Sequence, residues 1–164
     1  MRDADCTMKK IVIVVSTPMM AQFFLVNHIK SISERYEVTV VSNFKHKESY
    51  LDILPSCVKL HHIDIQRKIN LLAELKSLIQ ILFLFHKENY DLSYSISPKG
   101  GMLNAITSLL TGVPYRLHNF TGQTWYTKNG FEKYLLRLID KVISLFSTTI
   151  LVDSKSQREF LISN

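Results

Sequence analysis

Tyr115-Arg-Leu-His-Asn-Phe-Thr-Gly-Gln-Thr-Trp-Tyr-Thr-Lys-Asn-Gly130 runs from an alternating strand into a polar loop, and the amphipathic stretch 131–146 behind it completes a strand–loop–helix unit. Over 115–120 the alternation sets Leu117 on one side and Arg116 and His118 on the other. Thr121, Gln123, Thr124, Thr127, Lys128 and Asn129 then supply hydrogen-bonding groups, Trp125 and Tyr126 supply flat apolar faces, and Gly122 and Gly130 let the backbone bend closely. Flat faces beside amides, hydroxyls and a cation suit a sugar or a phosphorylated sugar. The competing reading is a strand end whose aromatics lie back on the core.

The same alternation recurs on either side. Residues 11–15, Ile-Val-Ile-Val-Val, have the β-branched continuity of a strand covered on both faces, and Pro18 marks the turn into a helix with apolar residues at helical spacing from Ala21 to Ile32. Strands are expected at 37–41, 58–65 and 92–97, with a polar loop at 43–56 and a helix at 71–87 capped by Asn70. A helix from Pro98 to Gly112 leads to the central unit. A sixth strand at 148–152 precedes a last helix, in which Ser154 and Gln157 have capping-box spacing. Six alternations of strand and helix predict an α/β fold: a doubly wound, mostly parallel, Rossmann-like sheet, because each parallel pair needs a crossover. Ligands of such sheets gather beyond the carboxyl ends of the strands, so the loops 17–20, 97–101 and 118–130 become the candidate sites.

The 164 residues, 46% of them hydrophobic, fit one domain, expected at 9–164 behind a disordered extension, 1–8, with Met8 a second candidate start. The net charge of +6 favours an anionic partner, but nucleic acid rests on charge alone and is not expected. Cys6 and Cys57 form no motif and fit a reducing cytoplasm. The apolar run after Lys9-Lys10 is too short for a signal peptide. Residues 71–85 carry Glu74, Lys76 and Gln80 and fall short of the roughly 20 residues a span needs, so they read as a core helix.

No dinucleotide fingerprint follows the first strand, and phosphate-loop, CxxC and HExxH motifs are lacking, which counts against a dehydrogenase, an ATPase and a zinc hydrolase. His61 and His62, adjacent on a strand, face opposite ways and cannot jointly hold a metal; neither metal nor cofactor is expected. Ser97-Pro-Lys-Gly-Gly101 has the ingredients of an anion cradle, although serine followed by proline is also an ordinary helix start. His118, near the end of its strand beside Arg116, Thr121 and Gln123, is expected to project into a cleft. Lys133, Arg137 and Lys141, four apart, form a stripe that suits either solvent or an anionic membrane.

Arg116-Leu-His-Asn-Phe-Thr-Gly-Gln-Thr-Trp125, Val152-Asp-Ser-Lys-Ser-Gln-Arg-Glu-Phe160 and Ser97-Pro-Lys-Gly-Gly101 together resemble the amino-terminal half of group 1, family 4-like retaining glycosyltransferases that build O antigen, capsule and related polysaccharides on polyprenyl diphosphate carriers. The resemblance implies a GT-B amino-terminal domain, cytoplasmic or peripheral on the inner face of the plasma membrane. It handles the acceptor, while a second domain, absent here, binds the nucleotide-sugar. It implies that His118 reaches the transferred sugar as the catalytic group, that Thr121, Gly122 and Gln123 shape the same wall, that Lys99, Arg116 and Lys128 meet diphosphate charge, and that Gly100 belongs to the same substrate-binding set. A separate polypeptide could carry the donor half. The alternative is a non-catalytic subunit that docks at the membrane and recruits a partner.

Overall fold

The computed structural model describes residues 8–45, 53–66 and 71–163. The expected tail, the Asn70 cap and the middle of the 43–56 loop lie outside them. The elements are β1 (Lys10–Val14), α1 (Pro18–Met20), a π-helical turn (Ala21–Leu25), α2 (Val26–Ser33), β2 (Glu37–Ser42), β3 (Lys59–His62), α3 (Leu71–Glu88) and β4 (Leu92–Ser95). They continue with α4 (Pro98–Leu110), β5 (Tyr115–Phe120), a 3-10 turn (Thr124–Thr127), α5 (Gly130–Phe146), β6 (Thr149–Val152) and α6 (Lys155–Ser163).

The strands form one sheet in the order β3-β2-β1-β4-β5-β6, and all five pairings are parallel. The expected doubly wound topology is present, with its switch point between β1 and β4. β1 shows why a continuous β-branched run belongs at the centre. Ile11 and Ile13 join Ala21, Leu25, Ile29, Val38 and Val40 in one core, while Val12 and Val14 join Ile81, Phe85, Leu103 and Val113 in another. A strand with only one buried face would have alternated. At its start, Lys10 N donates to Asp91 Oδ2 at 2.7 Å and Lys10 Nζ pairs with Glu88 at 3.2 Å, tying β1 to the end of α3.

Two expectations change. The third strand pairs only over Lys59–His62, although Val58, Ile63 and Ile65 are buried beside it. The 71–85 segment is not a wholly buried helix. α3 turns Ser77, Ile81 and Phe85 inward and leaves Leu72, Leu75, Ile79 and Phe83 outside, Phe83 at 75% exposure. A helix with apolar residues on more than one face can offer only one of them to a sheet, and no described element covers the other.

The three crossover helices α3, α4 and α5 pack as neighbours. On the opposite face, Leu92, Tyr94, Ile96, Leu117, Asn119 and Leu151 line a largely apolar cavity of about 600 Å³ that the π-helical turn borders through Leu25 and α2 through His28 and Ile32. The π-helical turn contributes Phe24 to its rim. Among the described residues no helix is long and apolar enough to cross a membrane.

Candidate functional site

β5 and β6 run parallel, with Phe120 beside Val152, so the loops that follow them emerge together. Between these loops lies a cavity of about 430 Å³ whose lining includes Thr121, Gly122, Gln123, Tyr126, Asp153 and Gln157. Thr121 and Asp153 also border the larger apolar cavity, so a polar mouth and an apolar gutter share two residues. Gly122 has φ 142, a conformation side-chain-bearing residues rarely adopt, and open space stands where a Cβ would be. Its glycine therefore answers to backbone shape. Gln123 Nε2 is buried without a hydrogen-bond partner among the described residues, a costly state for an amide donor beside a polar opening.

The start of α6 holds this mouth in place. Ser154 Oγ accepts from Gln157 N at 3.1 Å, as the capping-box spacing predicts. The Gln157 side chain accepts from Asp153 N at 2.8 Å and donates to Phe120 O at 3.0 Å, which fastens the helix to the end of β5.

Trp125 does not offer its face to a ligand. It is buried, stacks on Phe160 with ring centroids 5.3 Å apart, carries the Arg137 guanidinium 5.2 Å from its ring centre, and donates from Nε1 to Asp140 Oδ2 at 2.8 Å. The aromatic that lies back on the core is thus Trp125, while Tyr126 remains exposed at the cavity. Burial pushes the Asp140 carboxyl up to about 6, and the Trp125 hydrogen bond offsets only part of that shift.

His118 departs from its expected cleft position. It is the fourth residue of β5, only 1% exposed, and lines none of the cavities described. β-alternation sends Leu117 and Asn119 to the apolar cavity and His118 to the opposite face, under α4. There Nδ1 lies 2.9 Å from Ser95 Oγ and the ring meets Phe120 edge-on at 4.6 Å. Burial lowers its pKa to about 4, so the imidazole is neutral.

The glycines of 97–101 serve this packing. A Cβ on Gly101 would come 2.5 Å from His118 Cε1, and one on Gly100 would come 2.8 Å from Ser97 Oγ and 3.2 Å from Val14 O. Ser97 Oγ accepts from Ser16 N at 3.2 Å instead of capping α4. The cradle-like sequence is therefore a close helix–strand contact, not an open nest of amides.

The three cations expected to meet diphosphate are spread apart. Lys99 pairs with Glu74 at 2.7 Å and donates to Gln66 O at 2.9 Å, and Lys128 pairs with Glu132 at 2.9 Å. Arg116 must be removed from the mouth. It lies near the start of β5, roughly 16 Å along the strand from Thr121 at about 3.3 Å per residue. Its guanidinium donates to Phe146 O and Val113 O at 2.6 and 2.7 Å. Thr121, Gly122 and Gln123 thus gather at one opening, whereas His118, Gly100 and Arg116 support the scaffold. Sequence reasoning missed Asp153 and Gln157 as mouth residues; their place in a short strand–helix turn beside the Thr-Gly loop was the available signal. Among the described residues no cluster of three or more metal-ligating side chains occurs.

A family profile described as Glycosyl transferase 4-like matches residues 10–154. The chain is 33% identical over 104 residues to the capsular polysaccharide biosynthesis glycosyltransferase CapM of Staphylococcus aureus, covering 63% of this chain and 27% of that protein. It is 27% identical over 116 residues to the Escherichia coli UDP-Gal:alpha-D-GlcNAc-diphosphoundecaprenol alpha-1,3-galactosyltransferase, covering 70% and 29%. The fold resembles UDP-N-acetylglucosamine 2-epimerase from Rickettsia bellii, with TM-score 0.70 and 15% identity over 96% of this chain and 42% of that one. The chain therefore spans less than a third of the curated relatives' length. Its fold is shared with an enzyme of another reaction class, so the fold alone does not select the chemistry.

Proposed function

Because the chain belongs to the glycosyl transferase 4-like family, we propose that it forms the acceptor-side domain of an enzyme moving a hexose or N-acetylhexosamine from a nucleotide-sugar to a polyprenyl-diphosphate-linked saccharide. The product is a surface polysaccharide of the capsule or O-antigen type. The donor is held by a second domain, in the same chain or in a partner polypeptide, and the described residues alone give little or no turnover. What carries this reading on the structure is the mouth at the ends of β5 and β6: Thr121 and Asp153 can bond sugar hydroxyls, Gly122 keeps the backbone open, and Gln123 presents a buried amide donor with no partner among the described residues. Lys128, at the end of the mouth loop, is assigned to the acceptor diphosphate, exchanging its Glu132 partner for phosphate, whereas Lys99 is held away by Glu74 of α3. His118 does not touch sugar in this reading; it holds β5 against α4 behind the mouth.

Peripheral contact with an anionic inner membrane surface is assigned to α5. Lys133, Arg137 and Lys141 line a groove with Tyr134 and Leu138, while Phe131 and, farther along, Leu145 are 78% and 77% exposed. That combination of apolar and basic groups suits headgroups and the acyl boundary beneath them.

The test is transfer of labelled sugar to a polyprenyl-diphosphate saccharide, with and without a supplied donor-binding domain. Turnover that requires both parts and falls on Gln123→Ala or Asp153→Ala supports the proposal; robust turnover by the chain alone overturns it. The α3 and α5 exposure also favours a second reading, a membrane-docking subunit without catalytic contacts. In that case the same two substitutions leave turnover unchanged while α5 substitutions lower membrane recovery.

A further inference from the structure

The later turns of α5 border a cavity that the mouth does not use. It lies among α5, β6 and α6 and measures about 520 Å³, within the roughly 300–1,000 Å³ of small-molecule sites. Phe120, Leu145, Ile150, Leu161 and Ile162 give it apolar walls. Leu145 and Ile162 are 77% and 70% exposed, so this apolar trough stands open to solvent, which is the mark of a surface that receives something.

The rim of the trough is cationic. Arg137 and Lys141 line it, and both also line the basic groove that contains Lys133. Positions 133, 137, 141 and 145 are four apart, so three cations lead along one row of α5 to the apolar Leu145. Lys133 and Lys141 have no ion pair or hydrogen bond among the described residues, whereas Asp140, the acid in the lining, gives its Oδ2 to Trp125 Nε1. Cations beside an open apolar trough suit an anion with a hydrocarbon tail: a free phosphate leaves the trough empty, and an uncharged lipid leaves the cations unmatched. The position narrows the choice further. Trp125 lines this cavity, Phe160 lines the saccharide mouth, and their rings stack with centroids 5.3 Å apart, so one aromatic pair separates the two spaces.

We propose that this cavity holds the first isoprene units of the lipid-linked acceptor, with Arg137 and Lys141 meeting the lipid-side phosphate while Lys128 serves the sugar-side one. The inference deepens the transferase reading and rests on it for the identity of the lipid. On this assignment α5 does more than touch the bilayer, because it takes one chain out of it.

The experiment is titration of the chain with farnesyl diphosphate and with isopentenyl diphosphate, followed by the fluorescence of Trp125, the single tryptophan, in the cavity wall. Each buried methylene is worth roughly fourfold in affinity, so farnesyl diphosphate should bind at least about tenfold more tightly than the shorter ligand. Ser144→Phe with Leu145→Asp, both at exposed positions in the lining, should abolish that ratio, while Lys141→Glu should weaken both ligands severalfold. Equal affinities in the unaltered chain overturn the proposal whether or not the variants fold, and so does an unchanged ratio in a folded Ser144→Phe, Leu145→Asp double variant. A short-chain phosphatidylglycerol, kept below its micelle concentration, that binds as tightly as farnesyl diphosphate overturns the assignment to the acceptor. Chain-length-dependent binding in a chain that supports no transfer with a supplied donor-binding domain sinks the transferase reading; transfer without that dependence sinks the lipid site alone.

Discussion

Replacing Gly101 by alanine tests the contact that organises the centre of the domain. The added methyl would lie 2.5 Å from His118 Cε1, 2.8 Å from His118 Nδ1 and 3.0 Å from Ile143 Cδ1. Carbon–carbon contacts relax near 3.5–4.0 Å, so the ring or the helix must give by about 1 Å. Neither moves freely: the imidazole is wedged among β5, α4 and Phe120, and α4 sits on β1 through Gly100. Overpacking of this kind costs about 1–3 kcal/mol. A strained Ser95–His118 hydrogen bond adds about 1 kcal/mol, and the better helix propensity of alanine returns about the same. The net expectation is a loss of roughly 1–3 kcal/mol, or a drop of roughly 2–10 °C in Tm for a domain of this size. Urea unfolding of Gly101→Ala reads this directly, and the cycle with His118→Ala isolates its cause. Once the imidazole is gone the methyl has room, so Gly101→Ala should cost little or even stabilise in that background. Equal destabilisation in both backgrounds would refute the imidazole clash and shift the blame to Ile143; no destabilisation in the unaltered chain would refute the packing argument altogether.

Acid titration of stability should show two opposed contributions. Folded His118 stays neutral down to about 4 while the unfolded chain protonates below 6.5, so stability is lost as pH falls across that window. Asp140 keeps its proton in the folded chain up to about 6 against 3.8 when unfolded, so its contribution is present at low pH and is lost as pH rises through about 6. Each amounts to at most about 3 kcal/mol, and they largely cancel between pH 4 and 6. Asp140→Asn should therefore expose a steady decline from pH 6.5 to 4 in urea midpoints; a profile matching the unaltered chain would contradict the assignment. Gly122→Ala, strained by a φ of 142, should destabilise by roughly 1 kcal/mol and lower transfer more than stability. Transfer assays with a supplied donor-binding domain, set beside urea unfolding of the same variant, would detect that split. In flotation with vesicles containing anionic lipid, Phe131→Ser with Leu145→Ser should cut recovery severalfold without changing Tm, and recovery should fall with added salt if the lysines contribute.

Much of the fold was legible because its signals are local. The β-branched run 11–15, the helix ending before Gly112 and Pro114, and the Ser154–Gln157 spacing each reflect backbone and solvent preferences carried by neighbouring residues, and each appears in the structure. That Thr121, Gly122 and Gln123 line one cavity was legible for the same reason, since they form one continuous loop. Arg116 and His118 were misplaced, and the two readings of Trp125 left open, because their partners, Phe146, Gly101 with Ser95, and Asp140 with Phe160, come from distant parts of the chain.

By itself, then, the sequence determined the alternation of strands and helices, hence a parallel sheet whose strands share one carboxyl end, since periodicity and crossover geometry depend only on residue order. Tertiary structure alone decided which polar and aromatic side chains face that end and which are consumed as internal links. A side chain's chemistry is written in its type, but its availability is set by what packs against it. For His118 that meant a glycine on one helix and a serine on the neighbouring strand.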